Sequence, residues 1–120
     1  MHDLSELTQA LHQAKLRIHL ETSGAHPISG QFDWISLSPK TFKPPLSEIY
    51  PHADELKVVI SKKNDLQWAE SQSQKVSTET VKLLQPEWNS SKSRQLVLEY
   101  VLSHPQWRVS LQTHKYLDIR

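Results

Sequence analysis

The chain has 120 residues, of which 37% are hydrophobic and 22% charged, and its fourteen basic and thirteen acidic side chains leave a formal charge of +1. That length allows one domain, 1–120, with no room for a second core. No basic run exceeds Lys62-Lys63, so the lysines read as a solvated face and nucleic acid is not an expected partner. With no cysteine, the chain has no disulfide, no thiolate nucleophile, and no cysteine-ligated zinc or iron–sulfur cluster of its own.

Asp3 and Glu6 form a capping box before Leu4, Leu7, Leu11 and Ala14, spaced for one helical face, so residues 3–14 are predicted as a helix. Leu16, Ile18 and Leu20 then alternate with Arg17, His19 and Glu21, as in a strand ending at Thr22. Pro27 and the two glycines of the whole chain, Gly24 and Gly30, make 23–31 a loop. They leave no glycine for a phosphate-cradling motif. Residues 33–38 are a second strand with Ile35 and Leu37 on its apolar face. Pro39, Pro44, Pro45 and Pro51 turn 39–52 into a long stiff loop of the kind that tends to carry function.

Leu56 to Ile60 is apolar throughout, which predicts a strand buried on both faces. Residues 65–72 form a short helix packing Leu66 and Trp68-Ala69, followed by a polar connection to Ser77. Val81 to Gln85 is a fourth strand stopped by Pro86. Asn89 or Ser90 caps a helix to Ser103 with Leu96, Val97, Tyr100 and Val101 as its core stripe. His104-Pro105 ends that helix, and 107–113 is the last strand. Such an order implies an α/β fold with a mainly parallel sheet. Because the chain opens on a helix, one sheet edge is expected to lack a partner strand. No apolar run reaches the roughly 20 residues of a membrane span, and Met1-His2-Asp3-Leu4 is unlike a signal peptide. The expected location is cytoplasmic, with no membrane partner.

In a parallel sheet all strand C-termini share one rim, where α/β proteins bind ligands. Each predicted strand ends there in a polar cluster. Ser38-Pro39-Lys40 offers a hydroxyl, a locked bend and a cation, which suit a carboxylate or phosphate; the plainer alternative is a polar turn. Gln85-Pro86-Glu87-Trp88 combines an amide, a carboxylate and an indole face, a set fitted to a nucleoside. Its alternative is a strand stop followed by a core tryptophan. His19 and Glu21 share a strand face without a third ligand at a fixed spacing, so no metal residue is assigned. His2, His12, His52 and His104 look like surface or helix-end residues, whereas His114 stands at a strand terminus. No catalytic residue is assigned, since no triad or carboxylate pair can be argued from spacing.

Six strings in this order resemble 7-carboxy-7-deazaguanine synthase, a radical S-adenosylmethionine family. They are Leu20-Glu21-Thr22-Ser23-Gly24, the stretch from Asp33 to Lys40, Lys43-Pro44-Pro45, the stretch from Ala53 to Ile60, Leu84-Gln85-Pro86-Glu87-Trp88 and the stretch from Leu111 to Leu117. The resemblance spans the chain and about the C-terminal half of a family member. It implies part of a radical-S-adenosylmethionine-type (β/α) barrel whose N-terminal strands are missing.

The family's reaction converts 6-carboxy-5,6,7,8-tetrahydropterin to 7-carboxy-7-deazaguanine with loss of ammonia, on the route to queuosine and other 7-deazapurines. It uses S-adenosylmethionine, a [4Fe–4S] cluster and Mg²⁺. By likeness, Ser38, Pro39, Lys40, Gln85, Pro86, Glu87 and Trp88 would contact S-adenosylmethionine. His114 and the carboxylate of Arg120 would lie against the pterin, with Asp118 standing where a glycine is expected. The three-cysteine motif, the Mg²⁺ ligand and a Gly-Gly-Glu-Pro segment have no counterpart here, which implies a chain inactive by itself. A family enzyme cut short at its N-terminus is the expectation. The alternatives are half of a split enzyme or a non-catalytic module binding S-adenosylmethionine or pterin. The implied partners are the pterin and either a second copy in a homodimer or the missing N-terminal half.

Overall fold

The computed structural model describes residues 3–111. Three helices and five strands occur in the predicted order: α1 (Ser5–Gln13), β1 (His19–Thr22), β2 (Trp34–Leu37), β3 (Glu55–Ile60), α2 (Asn64–Ser73), β4 (Val81–Pro86), α3 (Ser91–Ser103) and β5 (Trp107–Val109). The strands follow chain order in the sheet, β1-β2-β3-β4-β5, so the expected α/β fold with a parallel sheet is the fold found. The chain divides into two compact units, Met1–Leu56 with Val76–Thr80, and Lys57–Lys75 with Val81–Arg120.

In the first unit β1 and β2 run parallel with His19 opposite Trp34 and Thr22 opposite Leu37, and β2 meets β3 with Ser36 opposite Glu55. Parallel neighbours need a crossover of a dozen or so residues, usually a helix. Here irregular loops make both crossovers, and the only helical turn in them is the short 3-10 segment Tyr50–His52. The second loop is closed by paired contacts: Asp54 donates its N–H to the Ile35 carbonyl at 2.9 Å and its carboxylate accepts the Ile35 N–H at 2.9 Å. Leu37, Ile49, Tyr50, Ala53 and Leu56 form the buried core beneath.

Gly24 lets that loop seat. Its φ is +74°, and a Cβ would lie 2.8 Å from both Leu37 Cδ1 and Pro45 Cβ, so only glycine fits without displacing the core.

Helix α1 is shorter than predicted and turns a different face inward. Leu7 is 55% exposed, whereas Thr8 is buried. The Thr8 hydroxyl donates to the Ser5 carbonyl at 3.1 Å and accepts the Gln31 N–H at 3.1 Å, so hydrogen bonding to the 29–31 loop, not the leucine stripe, sets the rotation. Asp3 accepts from the Ser5 N–H at 2.8 Å, satisfying one of the helix's orphan donors.

The second unit uses helices for its crossovers. β4 and β5 are parallel with Lys82 opposite Trp107 and Leu84 opposite Val109. Val58, Ile60, Leu66, Ala69, Leu84, Val97 and Trp107 are buried. β3 alternates: Leu56, Val58 and Ile60 are buried while Val59 is 38% exposed, so one face, not both, is covered. Asp65 accepts from the N–H groups of Ser61 (2.9 Å) and Lys62 (3.0 Å) and from the Ser61 hydroxyl (2.9 Å), fixing the entry to α2.

Ser90 caps α3 by accepting from Ser93 N–H at 3.1 Å. The predicted stripe of α3 is only partly inside: Val97 and Ser93 are buried, with Leu96, Tyr100 and Val101 half-buried. Ser93 is inward because its hydroxyl donates to the Ser61 carbonyl at 3.1 Å. Glu70 of α2 accepts the Trp107 indole N–H, which holds the start of β5. β5 ends at Val109, so Ser110 and Leu111 are not strand as predicted, and residues 112 and 113 lie outside the described residues.

Candidate functional site

In the first unit the cluster after β2 is held at its base by the Ser38 N–H, which donates to the Thr22 carbonyl at 2.8 Å. Pro39 is buried, while Ser38 and Lys40 are half-buried. Beyond them Lys40 and Lys43 pair as an antiparallel bridge, with Lys43 N–H donating to the Lys40 carbonyl at 3.2 Å. The two residues between form a turn whose Phe42 is 86% exposed. Pro45 packs on Gly24, and Leu46 N–H donates to the Gly24 carbonyl at 2.8 Å. A proline-bounded turn pinned at both feet presents its side chains in a fixed direction.

The second unit places Gln85 and Pro86 at the end of β4, both buried, and Glu87 and Trp88 just past it, both exposed. Glu87 N–H donates to the Ile60 carbonyl at 2.9 Å, which turns the chain out of the sheet. Pro86 and Trp88, with Asn89, Arg94, Leu98, Val109 and Leu111, line a cavity of about 740 Å³. Its walls are mainly apolar, with Asn89 and Arg94 as the polar groups, a lining that suits a flat ring carrying a polar edge. Asn89 adopts φ +66°, a left-handed geometry asparagine tolerates, and so lets the chain double back into the α3 cap.

Gln85 is 4% exposed, and its side-chain amide has no hydrogen-bond partner among the described residues. A buried amide without a partner costs about 1–3 kcal/mol, and such groups in native folds call for an explanation, a bound molecule among them. Sequence reasoning named Gln85 but not its isolation. It missed Asn89 and Arg94 as cavity residues; their only signal was proximity to the helix cap.

His114 and Arg120 lie outside the described residues, as does His2. His12 sits 3.0 Å from Asp33, and Asp33 also accepts the Ile18 N–H at 2.6 Å. That backbone bond first, and the His12 contact second, hold the Asp33 carboxyl below its ordinary range. His104 stacks on Tyr100 with ring centroids 3.8 Å apart. His19 is exposed, and no three His, Asp or Glu side chains converge as a metal site among the described residues.

No family model matches the chain. Over its full 120 residues it is 53% identical to a 7-carboxy-7-deazaguanine synthase of Synechocystis sp., covering 58% of that protein. It is 48% identical over 118 residues to the 7-carboxy-7-deazaguanine synthase of Flavobacterium psychrophilum, covering 98% of this chain and 56% of that one. The crystal structure of QueE from Escherichia coli superposes with a TM-score of 0.83 at 26% identity, covering 92% of this chain and 51% of that one. The chain therefore spans a little over half the length of the curated relatives it matches. The resemblance carried by its sequence strings is borne out along its whole length.

Proposed function

We propose that this chain carries the C-terminal part of a 7-carboxy-7-deazaguanine synthase, the radical S-adenosylmethionine lyase that converts 6-carboxy-5,6,7,8-tetrahydropterin to 7-carboxy-7-deazaguanine for queuosine and related 7-deazapurines. The observation that carries this is 53% identity over all 120 residues to a protein of that name.

The residues present divide the family's cofactors. A [4Fe–4S] cluster held by thiolates does not fit these residues, since the chain has no cysteine. Its ligands, and with them turnover, require residues from outside these 120. S-adenosylmethionine does fit: Gln85 is a buried amide with no partner among the described residues, and Pro86 and Trp88, which follow it in the chain, line a largely apolar cavity. When bound, that cofactor supplies the adenosyl group on which the family's radical chemistry depends.

The chain's own residues bind and orient. The Gln85 amide is assigned to a polar edge of the cofactor, and the exposed Trp88 indole to a flat ring. Ser38, Pro39 and Lys40 are assigned to S-adenosylmethionine by family likeness, Ser38 offering a hydroxyl and Lys40 a cation. Glu87 completes the contacts assigned to S-adenosylmethionine, and His114 and Arg120 are assigned to the pterin by family likeness.

Calorimetric titration of the full chain with S-adenosylmethionine tests this. Saturable binding that weakens about tenfold or more in Gln85→Met, the loss expected when one hydrogen-bonding group is removed from a site built around it, is the expected result. No heat with the wild-type chain at millimolar ligand overturns the assignment of the cofactor to these residues.

A further inference from the structure

We propose that Glu70 of α2, which stands outside the cavity lined by Trp88 and Val109, is the positioning residue that sets the shape of that cavity for S-adenosylmethionine. This rests on the assignment of the cofactor to that cavity, and adds the group that holds its walls. Three parts of the chain supply those walls. Pro86 and Trp88 come from the end of β4 and the turn after it, Arg94 and Leu98 from α3, and Val109 and Leu111 from β5 and the residues beyond. Helix α2 contributes none of the lining residues, yet one carboxylate on it reaches both α3 and β5.

Trp107 is 1% exposed, and a buried indole N–H needs an acceptor. Glu70 is that acceptor, and a carboxylate accepts more strongly than a neutral oxygen. Trp107 opens β5, a strand of 3 residues, whose register on β4 places Val109 opposite Leu84. A strand this short has few ladder bonds of its own, so the indole bond fixes where Val109 and Leu111 stand. On α3, burial first, then the Glu70 charge and a hydrogen bond to it, raise the Tyr100 hydroxyl above its ordinary range. The Tyr100 ring is itself held by its stack on His104, with centroids 3.8 Å apart. Arg94 and Leu98 precede Tyr100 on the same helix, so the hydroxyl bond to Glu70 governs how near they come to Trp88. The clamp has a firm base. Leu66 and Ala69 are buried beneath α2, and Asp65 accepts the Ser61 and Lys62 N–H groups at its entry.

Calorimetric titration of the full chain and its variants with S-adenosylmethionine tests the role of Glu70. Glu70→Ala should weaken binding by about tenfold, the low end of what removing an orienting partner behind a site costs. Glu70→Gln should restore it to near the wild-type value, because the amide oxygen still accepts the indole N–H and the amide nitrogen can donate to Tyr100. Leu66→Ala removes a buried side chain from the same helix, so it should lower the thermal midpoint and leave binding as it is. Tyr100→Phe deletes only a hydroxyl and should weaken binding by less than Glu70→Ala, which decides the matter if the alanine variant does not fold. A wild-type chain that binds, with Glu70→Ala or in its place Tyr100→Phe binding equally well, overturns this inference and leaves the cofactor assignment standing. Equal weakening by Leu66→Ala, or a glutamine variant no better than alanine, does the same. A wild-type chain that does not bind overturns the cofactor assignment, and the role given to Glu70 with it.

Discussion

The two units solve the same topological problem with different material. Where β3 leads through α2 to β4 and on through α3 to β5, helices make the crossovers and apolar side chains fill the space beneath them. Where β1 leads to β2 and β2 to β3, loops cross instead, closed by backbone hydrogen bonds and by one glycine under a run of prolines. A parallel sheet demands a long enough return path, not a helix. A loop can serve if its polar backbone is satisfied and its approach to the sheet is close. The helix-crossed unit should therefore depend on core volume, and the loop-crossed unit on backbone fit.

The largest test is Gly24→Val. At φ +74°, with two carbon atoms 2.8 Å from the new Cβ, strain and overpacking together should cost about 4 kcal/mol, read as a lower urea midpoint. Its counterpart is Leu84→Ala in the helix-crossed unit, where the side chain is fully buried. The cavity left should cost about 3 kcal/mol. If both variants shift one common transition, 1–120 behaves as a single domain. If each shifts its own, the units unfold separately.

Gln85→Met should move the other way, stabilising by about 1 kcal/mol because it removes a buried amide with no partner among the described residues, while weakening S-adenosylmethionine binding. A neutral or destabilising result would mean the amide is satisfied. Ser90→Ala should cost about 1 kcal/mol by uncapping α3.

The pH dependence separates the units further. Asp33 has its carboxyl lowered from 3.8, chiefly by the Ile18 N–H and then by His12. Its contribution is present above the unfolded value and is lost as pH falls through the lower folded one. Asp33→Asn should flatten the acid limb of a stability curve. Tyr100 is raised from 10.0, first by burial and then by the Glu70 charge and hydrogen bond. Its contribution is present below pH 10 and fades as pH rises through the raised value, so Tyr100→Phe should flatten the alkaline limb.

Much of this was legible in the sequence, and the failures share a cause. The element order followed from periodicity and from the breaks at Pro27, Pro39 and Pro86, because these act within a few residues. The inward face of α1 did not follow: Leu7 lies outside and Thr8 inside because Thr8 bonds to Gln31, a partner twenty-three residues away. Ser93 was missed for the same reason, its partner being the Ser61 carbonyl. The uninterrupted apolar run of β3 could not show that Val59 faces a side left uncovered. At the candidate site, residue type picked out Gln85, Pro86 and Trp88. The isolation of the Gln85 amide and the part of Arg94 in the cavity depend on what stands opposite them, which no local pattern encodes.

The loop from β2 to β3 holds four of the chain's seven prolines, Pro39, Pro44, Pro45 and Pro51. Each restricts the unfolded chain as well as the native one, and a well-placed proline is worth about 0.4–1 kcal/mol through the disorder it removes beforehand. A helix of the same span recovers the entropy it loses through its own hydrogen bonds. This loop has fewer such bonds, and begins with less entropy to lose. It is held as much by what the unfolded chain cannot explore as by what the folded chain touches.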